Sequence, residues 1–437
     1  FNDKELEVKL HKLLEEQGSW LFSDSNYSLG NHGLMMDTAL LELSMYMDRK
    51  EWFQKAIKRI NDRVRKDFTA EGVHLENSPE YHLFVMRYYF EILDFLEYYE
   101  LDCYLARETV SIVRKMPEYL AFISMPNGYL PTIGDTGFVK ITSSYGNKYL
   151  EYLISRGNAG KSPPAGLYYY KEAGLAIYRE TWEEDFMEDS LWWTFKSGSN
   201  NRVHKQDDDL SLVIFNRGHE IFSDAGKYNY QEDDIFRRYA VSPQSHTSIS
   251  LYNESYNARK NLDKIGHLQL LDQTESYIRL RGENNAYAEV SIIRDLVFFK
   301  PSTFVIIDRI SSLGEQNFSQ HYLLGENMHI SNYNVSGFTI ESARGEFYAK
   351  VFQKNNAEEV LYFRADNSNG KGYLFKAFEE KTPTDYIEFL KEGDELIFFT
   401  IIILEEDRGD FSLENFSFDN NTLSYSINND IIRLDLK

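Results

Sequence analysis

Residues 1–162 repeat their apolar side chains at the spacing of an α-helix. The apolar stripes run through residues 6–14, 34–45, 57–60, 83–98 and 105–123. Ser78-Pro79-Glu80 comes just before the fourth stripe and is typical of a helix start, because proline suits the first turn and an acid suits the positive end of the helix dipole. The connectors are short, so this region is predicted to form antiparallel helix pairs.

The pattern changes at residues 161–166, where two prolines and a glycine precede a series of short apolar segments. These segments are rich in Tyr, Phe, Ile and Val, and they include residues 175–179, 191–195, 210–215, 290–293, 297–299 and 304–307. No helical pattern separates them, which predicts a large antiparallel β-sandwich. Residues 396–404 are apolar on both faces and are expected in the middle of a sheet. The predicted domains are a helical domain over residues 1–162 and a β-sandwich over residues 163–437.

Composition narrows the function classes. The chain has 437 residues, 15% of them aromatic, and a formal net charge of −22, which excludes a disordered chain and argues against nucleic acid as a partner. The single cysteine, Cys103, excludes an intrachain disulfide and a thiolate zinc site. The longest apolar run, residues 396–404, is much shorter than the roughly 20 residues of a membrane-spanning helix. No export signal is visible after Phe1.

Two polar clusters accompany predicted helix starts. Asn31 and His32 lie between glycines just before a helix that is predicted to open at Leu34, where backbone can approach a ligand closely. The same pattern also fits an ordinary helix cap. Tyr81 and His82 lie in the first turns of another helix, whose positive dipole end favours a phenolate. With 31 tyrosines in the chain, this second signal is weak on its own.

Two further polar clusters lie in the predicted β half. His204 and Gln206 are two residues apart and would point the same way from an extended chain, although their polar segment could also be a solvated hairpin tip. Gln206, Asp224 and His246 offer oxygen, oxygen and nitrogen ligands, a mixture suited to zinc or another divalent ion. Three ligands on separate predicted strands carry no spacing signature, so the residues alone leave the metal site open.

Six motifs occur in a fixed order across the boundary between the two halves. They are Asn31-His32, Ser78-Pro79-x-Tyr81-His82, Leu130-Pro131-x-Ile133-Gly134-Asp135, His204-Lys205-Gln206-x-Asp208, Ser223-Asp224-x-Gly226-x-Tyr228, and Arg238-Tyr239 with Ser242 leading to Ser245-His246. In this order they resemble the heparinase II/III group of polysaccharide lyases, and the heparinase III type most of all. Where many members of that group carry His-x-His, this chain has His204-Lys205-Gln206.

The resemblance implies an α+β multidomain fold, with an incomplete (α/α) toroid followed by an antiparallel β-sandwich and a substrate cleft between them. It also implies a lyase that cleaves a uronic-acid-containing anionic polysaccharide by β-elimination and leaves an unsaturated uronate end. A heparan sulfate-like chain is favoured, with hyaluronan or a bacterial capsular polysaccharide as alternatives. The resemblance favours a periplasmic or secreted location. The oligomeric state stays open.

The resemblance also assigns roles to individual residues. The implied catalytic residues are Asn31, His32, Tyr81 and His204. Asn31 neutralises the uronate carboxylate with help from His32. Tyr81 is the general acid and also the base for one C5 configuration, and His204 is the base for the other. The implied substrate-binding residues are Arg202, Lys205, Tyr228, Arg238 and Tyr239. The implied ligands of a structural divalent ion, zinc or calcium, are Gln206, Asp224 and His246.

A net charge of −22 repels a polyanion, so a lyase of this kind needs a locally basic cleft. That cleft is expected around Arg202, Lys205, Arg237 and Arg238. Two other functions remain open. One is a hydrolase with a pair of carboxylates, which would yield no conjugated double bond. The other is a non-catalytic glycan-binding protein, which would turn over no polymer.

Overall fold

The computed structural model of the protein describes residues 4–198, 201–405, 413–419, 422–427 and 430–435. Its N-terminal part is helical, as predicted. The helices are α1 (Lys4–Phe22), α2 (Asn31–Tyr46), α3 (Lys50–Asp67), α4 (Pro79–Tyr98), α5 (Arg107–Ile123), α6 (Lys148–Ile154) and α7 (Ile235–Val241). Within the described ranges, every helix is too short or too polar to span a lipid bilayer.

The C-terminal part is an antiparallel β structure. Its strands are β1 (Gly166–Tyr170), β2 (Leu175–Arg179), β3 (Trp192–Lys196), β4 (Ser211–Asn216), β5 (His219–Phe222), β6 (Ser248–Leu251), β7 (Ile265–Gln273), β8 (Tyr277–Asn284), β9 (Val290–Phe299), β10 (Thr303–Leu323), β11 (Met328–Asn334), β12 (Gly337–Ser342), β13 (Tyr348–Gln353), β14 (Glu359–Arg364), β15 (Tyr373–Leu374), β16 (Thr382–Pro383), β17 (Asp385–Glu405), β18 (Leu413–Asp419), β19 (Thr422–Ile427) and β20 (Asp430–Asp435). Strands β1 to β5 form a five-stranded sheet in chain order. A ten-stranded sheet runs β11-β12-β13-β17-β10-β9-β8-β7, with β6 on β10 and β14 on β17.

The five-stranded sheet is a middle layer, and its strand β2 shows why. Leu175 and Ile177 belong to the core shared with the helices, whereas Ala176 and Tyr178 belong to the core shared with the ten-stranded sheet. Alternate residues of a strand point to opposite faces, so both faces of this strand need apolar side chains. All five residues of β2 are accordingly buried. This layer fixes the sandwich against the helices and so holds the segments between them in place.

The prediction of helices followed by an antiparallel β part is confirmed, and strand β17, which contains residues 396–404, pairs with β10, β13 and β14 in the interior of its sheet. Three local predictions are wrong. Helix α2 begins at Asn31 rather than Leu34, because Gly30 adopts a φ of 70° and turns the chain directly into the helix. Residues 290–299 form one strand rather than two. Helix α7 interrupts the β half, where no helix is expected from the sequence.

Candidate active site

A cleft of about 650 Å³ opens at the junction of the helical half and the sandwich half. Its walls come from three parts of the β half: residues 202–207, helix α7 with Tyr230 before it, and residues 255–260. Asp135 closes its floor from the segment that links α5 to α6. The cleft therefore lies where the sequence motifs from the two halves meet.

Tyr81 reaches the edge of this cleft from the first turn of α4. Ser78 caps that helix by accepting a hydrogen bond from the Tyr81 backbone N–H at 3.3 Å. The Tyr81 ring stacks on the His204 ring, with 3.4 Å between the ring centroids and 17° between the planes. Its hydroxyl lies 2.8 Å from the hydroxyl of Tyr230, which lines the cleft. A phenol of the helical half and an imidazole of the sandwich half are thus in direct contact.

Asn77 explains how the two halves are held in register at this point. Its side-chain amide donates to the backbone carbonyls of Asn201 at 2.8 Å and Val203 at 3.0 Å, just before His204. Gly134 packs so closely here that a Cβ on it would lie 2.3 Å from the Asn77 carbonyl oxygen. Glycine is therefore required at that position of the motif.

His82, the next residue of the same motif, is buried and does not face the cleft. Its Nδ1 accepts from the His74 backbone N–H at 3.2 Å, and its Nε2 lies 2.9 Å from the Met116 carbonyl. Burial lowers the pKa of His82 to about 3, so the ring is neutral and Nε2 donates to Met116. This histidine fixes α4 rather than taking part in chemistry.

His204 is held between two carboxylates. Its Nδ1 lies 3.1 Å from Asp135 Oδ2, and its Nε2 lies 3.8 Å from Glu76 Oε2. The residue adopts a φ of 53°, a left-handed conformation that is uncommon for a non-glycine residue and is often found at functional sites. The extended chain expected from the sequence is therefore absent at this residue, and both His204 and Gln206 reach Asp135 from a loop.

Asp135 is the hub of the site, a role that the sequence analysis does not assign. It accepts hydrogen bonds from His204, from Gln206 Nε2 at 2.9 Å, and from the Arg237 guanidinium at 2.7 and 3.2 Å. Burial alone would raise the pKa of Asp135, but the hydrogen bonds from His204 and Arg237 hold it well below its usual value. The ionised Asp135 carboxylate is an acceptor for the Nδ1–H of His204 and so orients the ring.

Asn31 joins the same cluster through Glu76. Its amide Nδ2 donates to Glu76 Oε2 at 3.3 Å, and burial raises the pKa of Glu76. One amide hydrogen of Asn31 is engaged in this way, and among the described residues the second has no acceptor, so it can bind a ligand. His32 is exposed in the first turn of α2, so its assisting role stays a prediction.

Gln206, Asp224 and His246 share an uncommon property. Among the described residues, no hydrogen-bond partner exists for five of their buried polar atoms: Gln206 Oε1, both carboxylate oxygens of Asp224 and both ring nitrogens of His246. His246 Nδ1 lies 3.0 Å from Asp224 Oδ1. Buried polar atoms without partners are costly, and a divalent cation would satisfy them. No cluster of three His, Cys, Asp or Glu residues suits a metal in the described ranges, so a divalent ion at this place stays a prediction that depends on the Gln206 amide as a ligand.

The prediction that Lys205 binds substrate is wrong. Its side chain is fully buried, and its ammonium pairs with Asp208 at 2.5 Å and Asp209 at 2.7 Å. Burial works against the charge, but these two carboxylates raise the pKa of Lys205. The lysine therefore anchors the loop that carries His204 and does not meet a polysaccharide.

We expect Lys205→Met to lower the free energy of unfolding by about 3 kcal/mol or more, because it leaves two buried aspartates short of a cation. Lys264→Met, at an exposed lysine of the β half, should change it by less than about 0.5 kcal/mol. Urea denaturation of both variants measures the difference. If the Lys205→Met and Lys264→Met variants are equally stable, Lys205 does not anchor the loop, and the expectation that it binds substrate stands again.

Packing also places both tyrosines that were expected to bind substrate outside the cleft lining of the described residues. Tyr239 is 4% exposed and lies in a small core, so its ring cannot stack on a sugar. Tyr228 packs half-buried against Phe236 and Phe375, outside the cleft lining found among the described residues. Tyr230 lines the cleft in their place.

The cleft is lined by basic side chains, but not by the same set that was expected from the sequence. Arg202 and Arg238 line it and are exposed, as predicted, whereas Arg237 is buried behind them against Asp135. Arg259 and Lys260 line the opposite wall and are not predicted from the sequence. Local positive charge therefore faces the cleft although the whole chain is acidic.

Two family profiles match the chain and together cover most of it. Residues 2–158 match the heparinase II/III N-terminus, and residues 162–397 match the heparinase II/III-like C-terminal domain. Curated relatives include the heparin-sulfate lyase of Pedobacter heparinus, 23% identical over 301 residues that make up 64% of this chain and 43% of that protein. The heparin-sulfate lyase of Bacteroides stercoris is 22% identical over 75% of this chain and 54% of its own length. The chain thus spans about half the length of these relatives.

Solved structures show the same fold. The crystal structure of heparan sulfate lyase HepC from Pedobacter heparinus has a TM-score of 0.81 and 18% identity, covering 97% of this chain and 69% of that one. A crystal structure of heparinase III has a TM-score of 0.81 and 16% identity, covering 99% and 72%. The predicted arrangement of helical part and β-sandwich is confirmed by these neighbours.

Proposed function

This chain belongs to the heparinase II/III family, and from that premise we propose that it is a polysaccharide lyase acting on a heparan sulfate-like glycosaminoglycan. The observation that carries the proposal is the contact of Tyr81 with His204 at the edge of a basic cleft. The reaction is a β-elimination that removes the C5 proton of a uronic acid residue and expels the oxygen on C4. The names of the curated relatives support the same substrate class.

Asn31 has the first task in this reaction. The C5 proton is only weakly acidic while the neighbouring carboxylate is ionised, and negative charge builds on that carboxylate as the proton leaves. A fixed hydrogen-bond donor stabilises such charge without reorganising, typically by several kcal/mol. The amide of Asn31 is oriented by Glu76 and keeps one hydrogen for this purpose.

Tyr81 is the proton carrier. Burial and the hydrogen bond to Tyr81 raise the pKa of Tyr230, so Tyr230 keeps its proton and can donate it in a hydrogen bond to the Tyr81 oxygen. The Lys227 ammonium lies 5.6 Å from the centre of the Tyr81 ring and pairs with Glu80 at 2.8 Å. Tyr81 takes the C5 proton on its phenol oxygen, and the phenol then returns a proton to the leaving C4 oxygen.

The stacked arrangement favours a glucuronate as the residue that is cleaved. Since the Tyr81 and His204 ring centroids are 3.4 Å apart, a sugar cannot lie between the rings, and both groups approach it from the same wall. In a glucuronate, the C5 proton and the C4 oxygen lie on one face of the ring, so Tyr81 can serve both. His204 is the base for a uronate with the opposite C5 configuration. When a glucuronate is cleaved, the His204 ring holds the Tyr81 ring in place by stacking on it.

A divalent ion held by Gln206, Asp224 and His246 is part of this proposal, because five buried polar atoms of these residues form no hydrogen bond in the described part of the chain, and only His246 Nδ1 and Asp224 Oδ1 approach each other, at 3.0 Å. Such an ion would supply positive charge and would fix three segments of the sandwich. Gln206 also donates to Asp135, so the same residue joins the metal ligands to the carboxylate that orients His204.

We expect the purified protein to carry about one divalent ion per chain, measured by inductively coupled plasma mass spectrometry. Removal with a chelator, or Asp224→Ala, should lower the melting temperature. It should also slow turnover about a hundredfold, because a small displacement of His204 spoils the reactive geometry. Absence of any bound metal, or a melting temperature unaffected by chelation, would contradict this site.

The proposed function is tested by incubating the protein with uronate polymers and following ultraviolet absorbance. Elimination creates a conjugated C4–C5 double bond, whereas hydrolysis creates reducing ends without that absorbance. We expect the fastest rise with heparan sulfate or its unsulfated precursor, heparosan. A faster rise with hyaluronan or a capsular polymer would show that the proposed substrate is wrong. Reducing ends without absorbance would show that the protein is a hydrolase rather than a lyase. Polymers of this size do not cross membranes, which fits a periplasmic or secreted enzyme.

A further inference from the structure

The cleft has a second wall that the elimination reaction does not use. Residues 255–260 form it, and Asp207 holds that segment in place. The Asp207 carboxylate accepts hydrogen bonds from the Ser255 hydroxyl, from the Asn257 backbone N–H at 3.1 Å and from the Ala258 backbone N–H at 2.7 Å. The wall is therefore fixed to the same loop that carries His204.

Arg259 is positioned within this wall rather than free in solvent. Its Nε donates to the Lys205 carbonyl at 2.7 Å, and its Nη2 lies 4.0 Å from Asp135 Oδ2. The same oxygen lies 3.1 Å from His204 Nδ1, so Arg259 is close to the catalytic cluster. The side chain is 40% exposed, and the remaining guanidinium N–H groups can bind an anion in a forked geometry.

Lys260 extends the positive charge along the rim. Its side chain is exposed, and in the described part of the chain its ammonium forms no ion pair. Of the acidic residues that line the cleft, Asp207 and Asp135 are buried and already hydrogen-bonded, which leaves Glu232 as the exposed acid. Exposed cations therefore outnumber exposed acids in this cleft, against the sign of the whole protein.

We propose that Arg259 and Lys260 form a sulfate-binding subsite for the hexosamine ring next to the uronate that is cleaved. This inference rests on the proposed lyase function and adds a determinant of substrate choice. In an alternating polymer, the ring beside a uronate is a hexosamine, whose anionic groups are sulfates. The next carboxylate is two rings away. Arg259 and His204 approach the same Asp135 oxygen, so Arg259 is close to the uronate that is cleaved. The sugar ring within its reach is therefore the adjacent hexosamine.

The test compares turnover of N- and O-sulfated heparan sulfate with that of unsulfated heparosan. We expect Arg259→Ala and Lys260→Ala together to lower the ratio of kcat/KM between the two polymers by about tenfold, mainly through KM for the sulfated one. Lys264→Ala, at an exposed lysine nearby in the chain, is the matched control and should leave the ratio unchanged. Lys260→Ala alone should lower the ratio in the same direction without disturbing the hydrogen bond of Arg259 to Lys205.

A second measurement separates this inference from the lyase proposal. All proteins in this measurement also carry Tyr81→Phe, so that they do not turn over the ligand. Titration calorimetry then gives their affinities for a sulfated and an unsulfated hexasaccharide. The Arg259→Ala/Lys260→Ala changes should weaken binding of the sulfated hexasaccharide about tenfold more than that of the unsulfated one. An equal loss of affinity for both hexasaccharides would indicate that the two residues bind a carboxylate or have a purely structural role. No loss of affinity would show that Arg259 and Lys260 do not bind the substrate. Either result overturns the subsite, whereas a parent that eliminates neither polymer overturns the lyase function alone.

Discussion

Replacing Tyr81 with phenylalanine is expected to lower kcat on heparan sulfate or heparosan by roughly 10³- to 10⁴-fold, the upper part of the range for a lost general acid or base. The variant keeps the ring that stacks on His204 and removes only the hydroxyl bonded to Tyr230. Its affinity for an oligosaccharide should therefore stay within about twofold of the parent. Initial rates from product absorbance and calorimetric binding constants provide the two numbers.

Tyr230→Phe is the matched control for this change. It removes the other hydroxyl of the same hydrogen bond and leaves Tyr81 its proton-carrying group, so we expect a loss of only about fivefold to tenfold. Neither variant should lose much stability, because both hydroxyls lie at the open edge of the cleft. A Tyr81→Phe enzyme that retains more than a tenth of parental kcat would show that another group moves the proton.

Asp135→Ala is expected to cause the second large effect, on stability and turnover together. The change leaves the buried Arg237 guanidinium without its carboxylate, and breaking such a buried pair typically costs about 3–5 kcal/mol. It also releases the His204 ring and the Gln206 amide, which both bind this carboxylate. Denaturation curves and kcat at a temperature where the variant is folded measure the two losses separately.

Two other variants separate the two effects of Asp135. Asp135→Asn keeps the shape and should lose less stability, yet kcat should still fall about a hundredfold because His204 is no longer held by a charged acceptor. Asp295→Ala removes a buried carboxylate that pairs with Arg279, Arg281 and Arg309 in the sandwich. It should destabilise the protein with little change in kcat of the folded enzyme. If Asp295→Ala and Asp135→Ala lower kcat alike, Asp135 has no special role at the site.

The sequence predicts the two halves of the fold because their apolar periods differ. Helix α4 is found where Ser78-Pro79 places it, and strand β2 occupies residues 175–179 as expected. Helix α7 is missed because it spans only seven residues, too few for a helical period to stand out beside strands rich in aromatic residues. The start of α2 is missed by one turn because the capping turn at Gly30 depends on its φ of 70°.

The sequence predicts only part of the candidate site, because the roles of some residues depend on contacts with residues far away in the chain. Tyr81, His204 and Asn31 come from motifs, and the structure brings them together. The roles of Asp135 and Glu76 depend on partners far away in the chain; for example, Asp135 and Arg237 are 102 residues apart. Lys205 is misjudged because a charged run is usually solvated, whereas here Lys205 and Lys196 neutralise Asp208 and Asp209 in the interior.

The most direct measurement of the central claim is a crystal structure of the Tyr81→Phe variant with a heparosan tetrasaccharide. We predict that one glucuronate places its C5 and O4 against the edge of ring 81, on the side where His204 stacks, with its carboxylate hydrogen-bonded to the Asn31 amide. A tetrasaccharide bound outside this cleft, or with C5 turned toward the wall of residues 255–260, would contradict an elimination carried out by Tyr81.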